Sequence, residues 1–196
     1  MIKFILLSIF AYLFGSVSFG HVIAGFKKID LTKIGSGSPT ATNVARALGW
    51  RWGIVSALLD LSKGIIPAYL ALKYLGNEWQ IIICAFLPTV GHIFPIFFKF
   101  KGGRGATTFF GASLVLTGPK FFIPLFLIWI LIFSLTKITG LTNLIFPWIL
   151  AIFLYLKQPF SYFVFGILGA SLMTFALRNN LKRLISRSEP KTPLKL

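Results

Sequence analysis

Apolar runs close to the length of a bilayer crossing follow one another along this chain, and no other feature limits its fold so tightly. Residues 2–25, 52–75, 79–98, 104–118, 120–136, 144–157 and 159–177 each read as an apolar stretch, judged against the ~20 residues that a helical span needs. Inside hydrocarbon every backbone N–H and C=O must find its partner within the protein, so runs of this kind form helices. The pattern predicts an all-α integral membrane protein of about seven transmembrane helices. A hydrophobic fraction of 56% over 196 residues would leave too much apolar surface on a soluble domain of this size. The stretches 104–118 and 144–157 are short and predict tilted or partly re-entrant segments. The first run continues through Ile23 and reads as a span rather than a cleaved leader. Residues 1–185 read as one polytopic domain. The polar tail 186–196, SRSEPKTPLKL, carries two prolines and predicts disorder.

Charge orients the spans. The chain holds 20 basic and 4 acidic residues, for a net charge of +16. Basic residues concentrate in the loops 26–51, 99–104 and 137–143 and in the C-terminal segment, while Lys3, Lys73, Lys120 and Lys157 fall on the other side. By the positive-inside rule the N-terminus faces outward and the C-terminus the cytoplasm. These charges sit in short blocks between apolar spans, which argues against nucleic acid as a partner. Lipid phosphate or an anionic substrate fits them better. Cys84 is the single cysteine, so no intrachain disulfide forms. No Cys/His cluster, HxxxxD pair or Ser-His-Asp set is present, and neither a metal nor a cofactor is expected.

The polar motifs all fall on the cytoplasmic side under this assignment. The loop from Asp30 to Gly49, DLTKIGSGSPTATNVARALG, combines glycines and small hydroxyls with Asn43 and Arg46. Arg46 offers a two-pronged donor for phosphate, and Thr40 or Thr42 can cap a short helix carrying Asn43 and Arg46. An ordinary Gly/Ser linker reads the same way. The second loop, from Gly91 to Gly111, reads GHIFPIFFKFKGGRGATTFFG. Lys101 and Arg104 flank Gly102 and Gly103, and cations beside a glycine turn make an anion site. A tight membrane turn obeying the charge rule explains it equally well. His92, ahead of Pro95, is either a donor to an oxyanion or phosphate or a structural hydrogen-bonding residue. Asp60 and Lys63 lie three apart in LLDLSKG on one helical face. They read first as a structural ion pair and second as a ligand-facing Lys63. In ALRNNLKRL, Asn180 adds nothing to the charge rule, although its basic neighbours fit interfacial snorkelling.

Taken in order along nearly the whole chain, these motifs resemble the acyl-phosphate:glycerol-3-phosphate acyltransferase family (PlsY). GSGSPTATNVAR resembles its GSGNxGATNxxR, LLDLSKG its LDxxKG, GHIFPIFFKFKGGRGAT its GHxFPxFxxFKGGKGxAT, and RNNLKRL the tail HRxNIxRL. The chain departs from these patterns at Ser38, Thr40, Arg104 and Leu177. In the third loop, TKITGLTN, it carries Gly140, Thr142 and Asn143 in place of the usual serine pair.

The resemblance implies a seven-span membrane enzyme of phospholipid biosynthesis in the bacterial inner membrane, with its active site facing the cytoplasm. Its reaction moves a fatty acyl group from acyl phosphate to glycerol 3-phosphate, giving lysophosphatidic acid and phosphate. Because a mixed anhydride is already activated, a substrate phosphate oxygen can take the hydroxyl proton, and no protein base is assigned. Ser36, His92 and Arg104 are the candidates closest to the chemistry. Ser36, Arg46, Lys101, Arg104 and Asn180 are expected to hold phosphates, helped by backbone N–H groups at Gly102 and Gly103. Ser38, Thr42, Asn43, Lys63, Thr142 and Asn143 complete the expected binding set. The expected partners are the two substrates, membrane lipid and the soluble acyl-phosphate synthase (PlsX). Two alternatives remain: a catalytically impaired paralogue that binds lipid or that synthase, suggested by Leu177, and a small-anion transporter, suggested by Ser16, Ser18, His21, Asp60 and Lys63.

Overall fold

The computed structural model describes residues 1–192, which are helical and form no strand. The α-helices are α1 (Ile2–Ser16), α2 (Phe19–Phe26), α3 (Ala41–Leu48), α4 (Trp50–Tyr74), α5 (Glu78–Ile93), α6 (Ala106–Thr117), α7 (Pro119–Thr136), α8 (Thr139–Lys157), α9 (Phe160–Ala176) and α10 (Arg178–Ile185). Short 3-10 turns lie at Leu31–Lys33 and Ile96–Phe98. Four helical segments are each long and apolar enough to cross a membrane: α4, Glu78–Phe98, α7 and α8. The number rises to six if α1 with α2, and α9 with α10, each count as one bent span. At 12 residues, α6 is shorter.

Two expectations about these segments are corrected. The first run is not one continuous helix but bends by 43° between α1 and α2. Val17 and Ser18 are extended there, and Ser16 Oγ donates back to Tyr12 O at 2.8 Å. The Val17 carbonyl, turned out of the helical ladder, accepts from Lys63 Nζ at 2.7 Å. The second correction concerns residues 137–143, expected as a loop. Helix α8 begins at Thr139 and runs 19 residues, so Thr142 and Asn143 lie on its opening turns. Thr142 Oγ1 donates to Ile138 O at 3.0 Å, which satisfies a polar side chain within its own helix.

Residues Met1–Ala112 form one compact unit and those from Ser113 onward another. In the first unit α5 packs along α1 and α4, and α3 lies against α4. Backbones of α1 and α5 approach closely: a Cβ on Gly15 would run into Pro88, and one on Gly91 into Tyr12 and Ser16. Such small-residue contacts let dispersion and hydrogen bonds hold helices together where lipid offers no hydrophobic drive. Tyr12 Oη adds a bond to Phe94 O at 3.0 Å.

In the second unit α8 packs against α7 and α9, and α10 touches α8 and α9. Gly166 lets α9 lie against Ala151 of α8, and Phe122 of α7 meets Phe146 of α8 edge-on. Along α7 the rings of Phe122, Phe126, Trp129 and Phe133 stack at spacings of three or four residues. Residues 186–192 belong to the tail expected to be disordered, and they run back along this unit. Glu189 accepts from Asn180 Nδ2 and, at 2.6 Å, from Arg183 Nε. The Thr192 N–H donates to Lys137 O at 2.8 Å, and the Thr192 and Thr139 hydroxyls are 2.6 Å apart. The remainder of that expectation, residues 193–196, lies outside the described residues.

Candidate active site

The first polar loop is built around Asn43. Asp30 opens it, accepting on Oδ1 from the Thr32 N–H at 3.0 Å and its hydroxyl at 2.6 Å. These bonds, the hydroxyl's foremost, hold the Asp30 carboxyl below the usual carboxylate range. Leu31 then drops into a small core with Ile23, Ala24 and Val44, which pins the loop to α2 and α3. Thr40 caps α3 as the sequence predicts, its Oγ1 accepting from the Asn43 N–H at 3.3 Å.

Asn43 is fully buried. Its Oδ1 accepts from the Ser36 N–H at 3.2 Å, and its Nδ2 donates to Leu31 O at 3.3 Å. Expected as a phosphate ligand, this side chain is engaged in tying the glycine-serine turn to α3. The turn needs Gly35, whose φ is +52° and whose Cβ, if present, would collide with Asn43 Oδ1 and press on Arg46 Cδ. Arg46, exposed on α3, is thereby held beside the turn. Ser36 Oγ is buried with no hydrogen-bond partner among the described residues, a costly state unless a ligand completes it. Ser38 Oγ reaches Ser36 O only at 3.5 Å, and Thr42 is half-buried on the first turn of α3.

The second loop connects α5 to α6 through a strained turn. Lys99 and Phe100 both adopt left-handed backbone, φ +52° and +60°, which is unfavourable for residues with a Cβ. Phe100 N–H to Pro95 O at 2.9 Å and Lys101 N–H to Phe98 O at 3.0 Å hold that turn. The Gly103 N–H donates to His92 O at 3.0 Å, so of the two amides expected to face a ligand this one is engaged within the protein. A Cβ on Gly103 would fall on His92 Nε2, and only glycine lets the loop lie directly on the histidine. Past Gly105 the ladder of α6 starts with Phe109 N–H to Gly105 O at 2.8 Å. The first-turn N–H groups of α6 therefore adjoin the basic turn, an end that attracts anions.

The two loops face each other across a cleft of about 480 Å³, lined by Thr32, Gly37, Ser38, Lys99, Lys101 and Gly102 together with Pro39, Phe97, Phe98 and His21. The sequence assigns His21 no role here, and nothing in its spacing signals one. Its ring stacks on Phe98 at 4.8 Å, and Nδ1 pairs with Ser18 Oγ at 3.0 Å.

Beneath the second loop lies a buried polar cluster that sequence reading resolved only as the pair Asp60–Lys63. That pair is 3.4 Å apart, and Lys63 is wholly buried. His92 joins it, with Nδ1 at 3.0 Å from Lys63 Nζ and 3.5 Å from Asp60 Oδ1. Thr108 Oγ1 donates to Asp60 O at 3.0 Å and lies 3.3 Å from the same ring nitrogen. Lys63, expected in the binding set, is thus directed into the protein rather than into the cleft.

In the second unit, Asn143 Oδ1 accepts from Trp129 Nε1 at 2.9 Å. Thr142 is buried within α8, and Asn180 is bound by Glu189. Gly140 lies against Asn180 and Glu189, where a Cβ would meet both. Leu177 is fully buried at the 66° bend between α9 and α10.

Across the first-unit site, hydrogen-bond donors and cations outnumber acceptors. Its two carboxylates, Asp30 and Asp60, are already bonded, one at the lip and one beneath. Such a surface binds phosphate and stabilises developing negative charge. It offers no carboxylate base.

Comparison with known proteins is consistent with that chemistry. Residues 5–187 match the family described as Glycerol-3-phosphate acyltransferase. The chain is 36% identical over 189 residues to the glycerol-3-phosphate acyltransferase of Aquifex aeolicus, covering 95% of this chain and 98% of that one. It is 33% identical to glycerol-3-phosphate acyltransferase 2 of Thermotoga maritima, with 96% of each covered. Its structure is similar to crystal structures of PlsY, an integral membrane glycerol 3-phosphate acyltransferase. The glycerol 3-phosphate form aligns with a TM-score of 0.93 at 35% identity, over 97% of this chain and 96% of that one. The lysophosphatidic acid form aligns with a TM-score of 0.90 at 35% identity, over 96% and 95%.

Proposed function

The chain belongs to the glycerol-3-phosphate acyltransferase family, and on that premise we propose that it acylates glycerol 3-phosphate from acyl phosphate during phospholipid biosynthesis. The primary hydroxyl oxygen of glycerol 3-phosphate attacks the acyl carbonyl carbon. The bond from that carbon to the phosphate oxygen breaks, and an ester forms. The hydroxyl proton passes to a phosphate oxygen of the substrates, and inorganic phosphate leaves with lysophosphatidic acid. The observation that carries this reading is the pairing of two donor-rich loops across one cleft, with Ser36 Oγ buried and unpartnered next in sequence to Gly35, which lies against Arg46. Ser36 and Arg46 are assigned to one phosphate, and Lys101, Gly102 and Arg104 to the second. Holding two anions in register supplies much of the rate, because the leaving group is already good. The impaired-paralogue and transporter readings find no comparable support.

The apolar helices make this a multi-pass membrane protein. The finer topology is part of the proposal: seven crossings, with α6 as a short one, the N-terminus outside and the active site on the cytoplasmic face. The charge asymmetry of the loops supports it. Acyl phosphate would arrive from a soluble acyl-phosphate synthase, and the acyl chain would remain in contact with lipid. Phosphate release from palmitoyl phosphate by the purified protein tests the reaction. Release that depends on glycerol 3-phosphate, with lysophosphatidic acid formed, is the expected result. Absence of release, or release requiring a different acceptor, would overturn it.

A further inference from the structure

The buried cluster under the glycine turn bears on which nitrogen of His92 carries a proton. Lys63 Nζ has three N–H bonds to place and three acceptors around it: Val17 O at 2.7 Å, His92 Nδ1 at 3.0 Å and Asp60 Oδ1 at 3.4 Å. As an ammonium, Lys63 can only donate at this distance, so Nδ1 presents its lone pair to it. A proton on Nδ1 would instead point at the ammonium. The two oxygens that could accept from a proton on Nδ1 are both farther from it than the ammonium: Thr108 Oγ1, whose own hydrogen goes to Asp60 O, at 3.3 Å and Asp60 Oδ1 at 3.5 Å. A neutral imidazole whose Nδ1 accepts carries its hydrogen on Nε2. That nitrogen abuts Gly103, where a Cβ would collide with it, and the Gly103 N–H is bonded to the carbonyl of the same histidine at 3.0 Å.

We propose that Lys63 is a positioning residue that locks His92 as the Nε2–H tautomer, making it a hydrogen-bond donor to a phosphate oxygen held at the turn 101–105. The inference rests on the reaction proposed above and restricts it. With Nε2 protonated and Nδ1 engaged by Lys63, His92 cannot take the hydroxyl proton of glycerol 3-phosphate. Its contribution is a fixed N–H aimed at negative charge, needing no reorganisation as charge moves from the anhydride to the leaving phosphate. The helical break at Val17 takes part, because the carbonyl freed there occupies one of the three Lys63 hydrogens.

The tautomer can be read without turnover. The full chain, labelled with 15N-histidine in phospholipid nanodiscs, contains only His21 and His92, and His21→Phe assigns the signals. His92 is expected as a neutral Nε2–H ring whose Nε2 resonance moves on adding glycerol 3-phosphate while Nδ1 stays. An Nδ1–H or doubly protonated ring in the wild type would overturn the proposal, as would an Nε2 signal indifferent to glycerol 3-phosphate. Lys63→Met is expected to release the ring to mixed tautomers, and an unchanged Nε2–H signal there would remove the role given to Lys63. Two substitutions supply a kinetic reading independent of that variant's folding. The side-chain amide of His92→Gln can donate from the Nε2 position, whereas that of His92→Asn reaches only the Nδ1 position. His92→Gln should retain activity that His92→Asn loses by roughly 10- to 100-fold in kcat, the scale of one hydrogen bond to a charged group. Equal losses would count against a donor at Nε2. A wild type that shows Nε2–H yet makes no lysophosphatidic acid would support the positioning role and overturn the reaction instead.

Discussion

At the scale of single residues, the proposed reaction divides the site into groups assigned to a ligand and groups that hold them in place. Arg46 and Arg104 are assigned to the first class. Arg46→Ala and Arg104→Ala are expected to abolish most acyl transfer while membrane insertion stays intact, since each removes a charge-assisted contact of about 1.5–3 kcal/mol. Wild-type turnover in both, measured as lysophosphatidic acid formed, would remove their assigned phosphate roles. Arg104→Lys restores the lysine of the family pattern, exchanging a planar fork for a point charge, and should keep activity within about ten-fold. Gly103 belongs to the second class. Gly103→Ala places a methyl on His92 Nε2, so the loop must lift away. A fall in kcat with normal expression is the outcome to look for, and full activity would show that the loop does not need that contact. Leu177 illustrates how far a motif letter can mislead. It stands where the family carries histidine, yet it is wholly buried at a helix bend, a place suited to a packing side chain.

At the scale of elements, short caps and breaks set the positions of the polar groups. Thr40 caps α3 and accepts from Asn43, and α3 carries Arg46. Thr40→Ala should cost about 1 kcal/mol and raise KM for glycerol 3-phosphate more than it lowers kcat. The reverse pattern would disconnect the cap from binding. The Asp30 cap behaves in a pH-dependent way whose sign follows from its lowered pKa. Its contribution is present above the unfolded pKa and is lost as pH falls through the folded one, so this loop should loosen only in acid. In the second unit, Glu189 draws the segment 186–192 onto α10 through Asn180 and Arg183. Its carboxylate is almost completely enclosed, while Arg183 remains partly exposed. Glu189→Ala therefore loses a hydrogen-bonded anchor more than a strong ion pair. Limited proteolysis after Arg187 or Lys191 should quicken in that variant, and unchanged cleavage would mean that the other tail contacts suffice.

At the scale of the whole molecule, the testable quantity is orientation. Lys33 is exposed in the first loop, and Gly76 has open space around it between α4 and α5. In a Cys84→Ala background, Lys33→Cys should react with an impermeant thiol reagent only when the cytoplasmic face is opened. Gly76→Cys should react in intact cells, and the opposite labelling pattern would reverse the assigned topology.

Much of this organisation was legible without coordinates. Apolar run length determined that the chain is helical and membrane-embedded, because unpaired backbone polar groups are too costly in lipid for other solutions. Local spacing was sufficient for the Thr40 cap and for the Asp60–Lys63 pair, since both depend on residues within one turn of helix. Tertiary structure alone decided what lies far apart in sequence. It brought His92 and the carbonyl of Val17 to Lys63, and laid Gly103 on His92. It engaged Asn43 within the loop, and it lined the cleft with His21. Lys63 and Val17 are 46 positions apart and His21 and Phe98 farther still, and no periodic pattern records such contacts. They arise from backbone geometry, a broken helix at Val17 and two left-handed residues before the glycine turn, which the side-chain composition leaves open.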